Sequence, residues 1–345
     1  MYRSILGVVD RRSRSILIAC GLSVLLLAVV SLALGGSVAI PFGTVLREIA
    51  RGDLGGGVEP SNLIIWQLRI PRLLAAILVG AVLGGVGSAF QAVFRNPLAE
   101  PYVIGVSSGA GLAGALAVVA GLGGWMGGLA LSLAGAVGGL LTLGLVFALA
   151  KSRQGTATLR LLLGGVIVGT ALAAGTSLVL LLAGEDSNQV LRWLLGSLTP
   201  MHWPRLAAML TGAIVAGVIL MKSTRALNAL AVDESLATRL GFNPRKILPM
   251  VLGGGSLVVG LCVGSVGIIG FVGLIAPHLA RSFVGADQRV ALPLSAVLGS
   301  LLLILADLLA QKIVPGTELP VGSITALLGA PALWWILRRP IHRLA

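Results

Sequence analysis

The chain has 345 residues, 57% of them hydrophobic and only 11% charged, with 49 glycines and a mean hydropathy of +1.02. Soluble globular chains carry about 25% charged residues, so composition excludes a soluble enzyme or binding module and leaves an integral membrane protein. The formal charge of +13 does not indicate a nucleic-acid partner, because the basic residues sit in short loops between apolar runs.

Runs close to the roughly 20 apolar residues that a bilayer core requires recur along the chain, without the alternation of a β-barrel. They predict an all-α membrane fold with about ten spans, near 16–34, 64–93, 102–120, 125–150, 159–183, 204–221, 247–268, 272–284, 290–313 and 321–338. The N-terminal "MYRSILGVVDRRSRS" leads into the first run with no A-x-A cleavage pattern, which predicts an uncleaved first span. Cys20 and Cys262 both lie in apolar runs, so no disulfide framework or thiolate metal site is implied. Under this assignment eighteen of the 25 Lys and Arg residues fall on the side of the N-terminus and seven on the other. The positive-inside rule then places both termini in the cytoplasm. No long soluble stretch interrupts the spans, so residues 1–345 read as one transmembrane domain with a cytoplasmic polar insert at about 222–246.

Two segments are broken where a span should be smooth. "FRNPLAEPYVIGVSSGAG" (94–111) contains Pro97, Pro101, Gly105 and Gly109; "GSVGIIGFVGLIAPHLAR" (264–281) contains Gly267, Gly270, Gly273 and Pro277. The first break falls at the inner face and the second at the outer face. Broken segments in corresponding positions of two halves point to inverted repeats and a transport path between them. That the glycines merely let helices pack closely is the alternative, and transport is favoured over it.

The insert "ALNALAVDESLATRLGFN" (226–243) concentrates polar residues. Ser223 or Thr224 is placed to cap a helix through about Ala231. Asp233 is placed to cap a second, Glu234–Leu240, ended by Gly241 and Pro244. Helices this short are marginal alone, so docking is expected to stabilise them, with Leu227, Leu230, Leu236 and Leu240 exposed beside the charges. A pair resting on lipid headgroups is the alternative, disfavoured by narrow apolar faces with no aromatic before Phe242. No G-x-x-x-x-G-K-[ST] occurs, so any ATP that drives this chain is held by another subunit.

The motifs together resemble the permease subunit of type II ABC importers, the family that takes up iron-siderophores, haem and vitamin B12. The matching pieces are "WQLRIPRLLAAILVGAVLGGVGSAFQAVFRNPLAEPYVIGVSSGAG" (66–111), "LLLGGV" (161–166), "ALNALAVDESLATRLG" (226–241), "GIIGFVGLIAPHLAR" (267–281) and "ELPVGSITALLGAPALWWILRR" (318–339), in the family's order over nearly the whole chain. The resemblance implies a homodimer of ten-helix subunits in a bacterial inner membrane, with a path on the two-fold axis and lipid around it. A cytoplasmic ATPase dimer, holding ATP and Mg, sits below. A periplasmic or lipid-anchored substrate-binding protein docks above. The chain itself then has no cofactor and no catalytic residues.

On that resemblance the ATPase-coupling residues are Leu227, Leu230, Asp233, Glu234, Leu236, Arg239, Leu240 and Gly241. Arg69 and Arg72 of "QLRIPR" would receive acidic residues of the binding protein; snorkelling to headgroups is the other reading. Lys312 stands, after Gln311, where some relatives carry a further arginine. Ser107 and Ser108, with the Thr170–Ser177 face of the fifth span, would line the path. Asp307, inside an apolar span, reads as a buried structural acceptor rather than a proton relay, and Glu100 and Arg95 as residues that fix the first break. His278 stands where the family carries His across different substrates, and His202 reads as a headgroup-level side chain, so neither is expected to ligate. The function expected is ATP-driven import of a metal chelate or tetrapyrrole by alternating access. The rivals are a proton-coupled secondary transporter using Asp307 or Glu100, and a scaffold that recruits a partner through the insert.

Overall fold

The computed structural model describes residues 11–36, 40–52, 59–151, 157–314 and 316–338. Their order is α1 (Arg11–Leu34), α2 (Phe42–Arg51), α3 (Pro60–Leu63), a π-helical turn (Ile64–Arg69) running into α4 (Ile70–Phe94), α5 (Val106–Val119), a 3-10 stretch (Leu122–Gly128), α6 (Leu129–Leu149) and α7 (Ala157–Leu182). A short 3-10 turn then leads to α8 (Ser187–Leu194), α9 (Trp203–Lys222), α10 (Thr224–Val232), α11 (Glu234–Arg239), α12 (Pro244–Val266), α13 (Val272–Val284), α14 (Gln288–Lys312) and α15 (Val321–Leu337). Among the described residues, seven helical stretches are long and apolar enough to cross a membrane by length and composition, and three shorter apolar helices begin at Val106, Val272 and Val321. Each of the ten stretches expected from the sequence holds one of these helices.

Missing side chains let the long helices approach closely. α4 and α14 run antiparallel with Gly80 on Gly299 and Gly84 on the Ser295 carbonyl, so that a methyl at either α4 glycine would strike backbone. α6 and α12 make a second antiparallel seam through Gly135, Gly260 and Gly264. Such small-residue contacts replace the hydrophobic drive that lipid cannot supply. Phe90, Val251, Leu252, Val258, Leu303 and Ile304 fill the interior between the seams.

Both expected breaks are present. After α4 the chain turns at Arg95 (φ 49) and travels through residues 96–105 without helix. It restarts as α5 at Gly105 (φ 80), where the backbone lies against Gly165 and Gly169 of α7. α5 therefore starts partway along α7, inside the bundle. After α12 the backbone breaks at Gly267 (φ 77) and Phe271 (φ 68) before α13, which has 13 residues. Gln91 of α4 holds α13 at two points, donating from Nε2 to the Gly273 carbonyl (3.2 Å) and accepting at Oε1 from Arg281 Nη2 (2.6 Å). Irregular backbone of this kind is tolerated in membrane proteins where protein covers it.

Candidate functional site

The insert lies at one end of the bundle as two short helices. α9 passes directly into α10, because Ser223 and Thr224 donate back to the Ile219 and Met221 carbonyls (2.7 and 2.9 Å) and make no side-chain cap. That corrects the expected Ser/Thr cap: a hydroxyl with a carbonyl three or four residues behind it bonds there instead. Asp233 does cap α11, accepting from the Ser235 amide (3.0 Å) and from the Ser235 hydroxyl. Gly241 (φ 85) ends the pair, and Asn243 caps α12 by accepting from the Arg245 amide (3.0 Å).

The four leucines separate into two pairs. Leu227 and Leu230 are 0% and 1% exposed, Leu227 in the main core and Leu230 in a small cluster with Ala237, Phe242 and Ile247, which corrects the expectation that they are displayed. Their spacing marks one face of α10, and that face is covered by the chain's own residues. Leu236 is half-buried, whereas Leu240, at 60%, is exposed with Arg239 and Gly241. The exposed part of the four-leucine pattern is therefore on α11 and its C-terminal turn. Hydrogen bonds from Ser235, side chain first and then amide, together with Arg95 nearby hold the Asp233 carboxyl below its ordinary range. Arg95 Nη1 donates to Asp233 Oδ1 at 3.2 Å, and Thr158 Oγ1 donates to Glu234 Oε1 at 2.5 Å.

The opposite end carries the arginines of "QLRIPR". Arg72 donates from Nε to both Asp307 oxygens (3.1 Å each), from Nη2 to Asp307 Oδ1 (3.0 Å), and from Nη1 to Glu318 (2.9 Å). Gln311 Nε2 completes the Asp307 shell at 2.7 Å. Arg69 is buried and donates to the Leu32 and Ala33 carbonyls at the end of α1 (2.6 and 3.3 Å). Both guanidiniums are thus turned inward rather than outward as expected. The reason is that a buried carboxylate requires a cation and a helix end requires donors. Asp307 is a buried acceptor paired within the subunit, as the sequence suggested. Lys312 is exposed, with Nζ on the Gly36 carbonyl (3.0 Å).

Thr170 and Ser177 share an exposed face of α7, their hydroxyls donating to the Val166 and Ala173 carbonyls. Ser107 is buried within the bundle and Ser108 lies against Gly169, so the two serines do not join that face. Glu100 reaches the other break: a β-carbon on Gly273 would lie 3.5 Å from its Oε2. Among the described residues no three His, Cys, Asp or Glu side chains converge on a metal position.

A family model described as the FecCD transport family matches residues 23–339. The vitamin B12 import system permease protein BtuC of Salmonella arizonae is 37% identical over 335 residues, 95% of each chain. An ABC transporter permease protein of Bacillus subtilis, YvrB, itself uncharacterized, is 38% identical over 323 residues, 91% of each chain. Among solved structures, a metal-chelate type ABC transporter in an inward-facing conformation superposes with a TM-score of 0.80 at 32% identity, covering 95% of this chain and 100% of that one.

Proposed function

This chain belongs to the FecCD transport family, and from that membership we propose a full working cycle. It is a multi-pass membrane protein and the permease component of an ABC importer of the FecCD/BtuC type. In this reading each subunit crosses a bacterial inner membrane ten times, by seven long and three short helices, with the insert and both termini on the cytoplasmic side, the side that the distribution of Lys and Arg favours. Two copies pair around a path. The small and polar face of α7 at Thr170 and Ser177 suits that position better than lipid, since polar side chains in membrane helices turn to a cavity or a partner.

The observation that carries the reading is the insert. Its first helix is anchored by Leu227 and Leu230, and its second presents Arg239, Leu240 and Gly241 outward, with Glu234 and Leu236 half-buried beside them. A docking knob of this shape fits a cleft on a cytoplasmic ATPase dimer, which holds ATP and Mg. The binding protein delivers substrate at the opposite end, where Lys312 is exposed; Arg69 and Arg72 join that contact only by leaving their present partners. The substrate is a metal chelate or tetrapyrrole, the class spanned by ferric siderophores, haem and cobalamin. A proton-coupled transporter built on Asp307 is disfavoured, because that carboxylate is committed to Arg72 and Gln311.

Native mass spectrometry of the complex extracted from source membranes, with an absorption spectrum of the same sample, tests the reading. Two permeases with two ATPases, and a Soret or corrin band, are expected. A chain that never retains an ATPase would overturn it.

A further inference from the structure

The insert rests unevenly on the bundle. α10 is fixed: besides its two buried leucines, Asn228 donates from Nδ2 to Asp287 Oδ1 (2.7 Å) and accepts at Oδ1 from the Gln288 amide (2.8 Å). Those residues open α14, and Gln288 in turn accepts from Ser88 of α4 (2.9 Å). α10 therefore moves only with the glycine-locked pair α4–α14.

α11 is held differently. Of its six residues only Ala237 is buried. It stands over a cleft of about 1160 Å³ walled by Phe147, Lys151, Arg160, Phe242, Arg245 and Pro249, where α6, α7 and α12 end. Glu234 closes one side of that cleft by accepting from Thr158, the second residue of α7. Thr158 is 4% exposed and Glu234 half-buried, so the bond to the carboxylate is partly sheltered from competing water. Only 11% of the most apolar window of α7 is buried, against 67% for α12 and 78% for the stretch containing α4. Apart from the close backbone contact that Gly165 and Gly169 make with Ile104 and Gly105, α7 has few neighbours in its own subunit to resist a tilt about that point.

We infer that the Glu234–Thr158 hydrogen bond is the contact through which displacement of the insert is handed to α7, with α10 as the fixed end and the cleft as the room for movement. Thr158 is then a positioning residue that touches neither ATPase nor substrate. The inference rests on the importer reading, and its test separates the two.

The permease–ATPase complex in lipid nanodiscs, with Cys20→Ser and Cys262→Ala, takes one nitroxide at Leu163→Cys on exposed α7. The distance between the two copies is read before and after trapping with ATP and vanadate, and Leu210→Cys on α9 serves as the comparison site. Trapping should shift the α7 distances. Thr158→Val, which keeps the shape and removes the hydroxyl, should reduce the shifted population about tenfold, the factor set by losing a charge-assisted bond. ATPase retention and trapped nucleotide should be unchanged, and Thr158→Ser should restore the shift. A full shift in Thr158→Val overturns the inference and leaves the importer reading standing. So does an unmodified complex that traps nucleotide while α7 stays still. A permease that retains no ATPase overturns both.

Discussion

Replacing Asp307 by alanine decides whether the cluster opposite the insert is structural. The carboxylate side chain is 3% exposed and receives three contacts from Arg72 and one from Gln311. Its loss leaves a guanidinium that is 12% exposed, with Glu318, itself 48% exposed, as the carboxylate still beside it. Breaking one side of a buried pair costs about 3–5 kcal/mol. A half-exposed carboxylate offsets at most about 1 kcal/mol, so a net loss of roughly 2–4 kcal/mol is expected by these rules. Arg72→Met should cost a similar amount, because Asp307 is then left with an amide. The double variant Asp307→Ala with Arg72→Met buries no charge and should come back to within about 2 kcal/mol of the parent. A cycle of the four proteins, unfolded reversibly in mixed micelles by SDS titration, should give a coupling of about 2 kcal/mol or more. Strictly additive losses would refute the pairing. Loss of transport by Asp307→Ala at unchanged stability would make the carboxylate a working group instead.

Three further outcomes follow from the same geometry. Leu230→Ala should cost about 2–4 kcal/mol and open the insert to protease, while Leu240→Ala should leave stability within about 0.5 kcal/mol and lower substrate-stimulated ATP hydrolysis; equal protease sensitivity would count against the division of the leucines. Gly84→Val drives a side chain into the Ser295 carbonyl and should cost at least about 1–3 kcal/mol, seen as loss of the monodisperse peak in size-exclusion chromatography, whereas Gly253→Ala on an open face should be neutral or mildly stabilising. Because the Asp233 carboxyl is held low by Ser235 and Arg95, the α11 cap is stable above the ordinary carboxylate value, about 3.9, and is lost as pH falls through the lower folded value. Protection of the Ser235 amide, corrected for intrinsic exchange, should stay flat from about pH 8 to about pH 5; a step near neutrality would assign the control to another group.

The sequence revealed what is local. Apolar runs between charged loops located the helices, and Asp233 followed by Gly241 located α11, because caps and breaks act within a few residues. It did not reveal α2, whose buried Val45 and Glu48 oppose exposed Phe42, Leu46 and Ile49. That periodicity was present in ten residues but was masked by their mixed polarity. Nor did it give the partners of Arg72, Arg95 and Thr158, which lie 235, 138 and 76 residues away. Spacing showed that Leu227 and Leu230 share a face. Whether that face meets the bundle or a partner depends on how α10 leaves α9, which no pattern within the helix encodes.

The same long-range contacts divide the molecule into a part that resists movement and a part that permits it. α4, α13 and α14 are locked by glycine seams and by Gln91, whose amide reaches both ends of α13. α7 meets the insert through Thr158 and the first break through Gly105. Arg95, which opens that break in a left-handed conformation, is paired with Asp233 of the insert. Glu100, five residues on, lies at Gly273 beside the second break. In the coupling proposed above, a push on α11 would reach α7 through Thr158 and the two unwound places through Arg95 and Glu100, so that regular helix need not melt for the bundle to rearrange. A membrane protein that must change shape without exposing backbone to lipid has few other arrangements open to it.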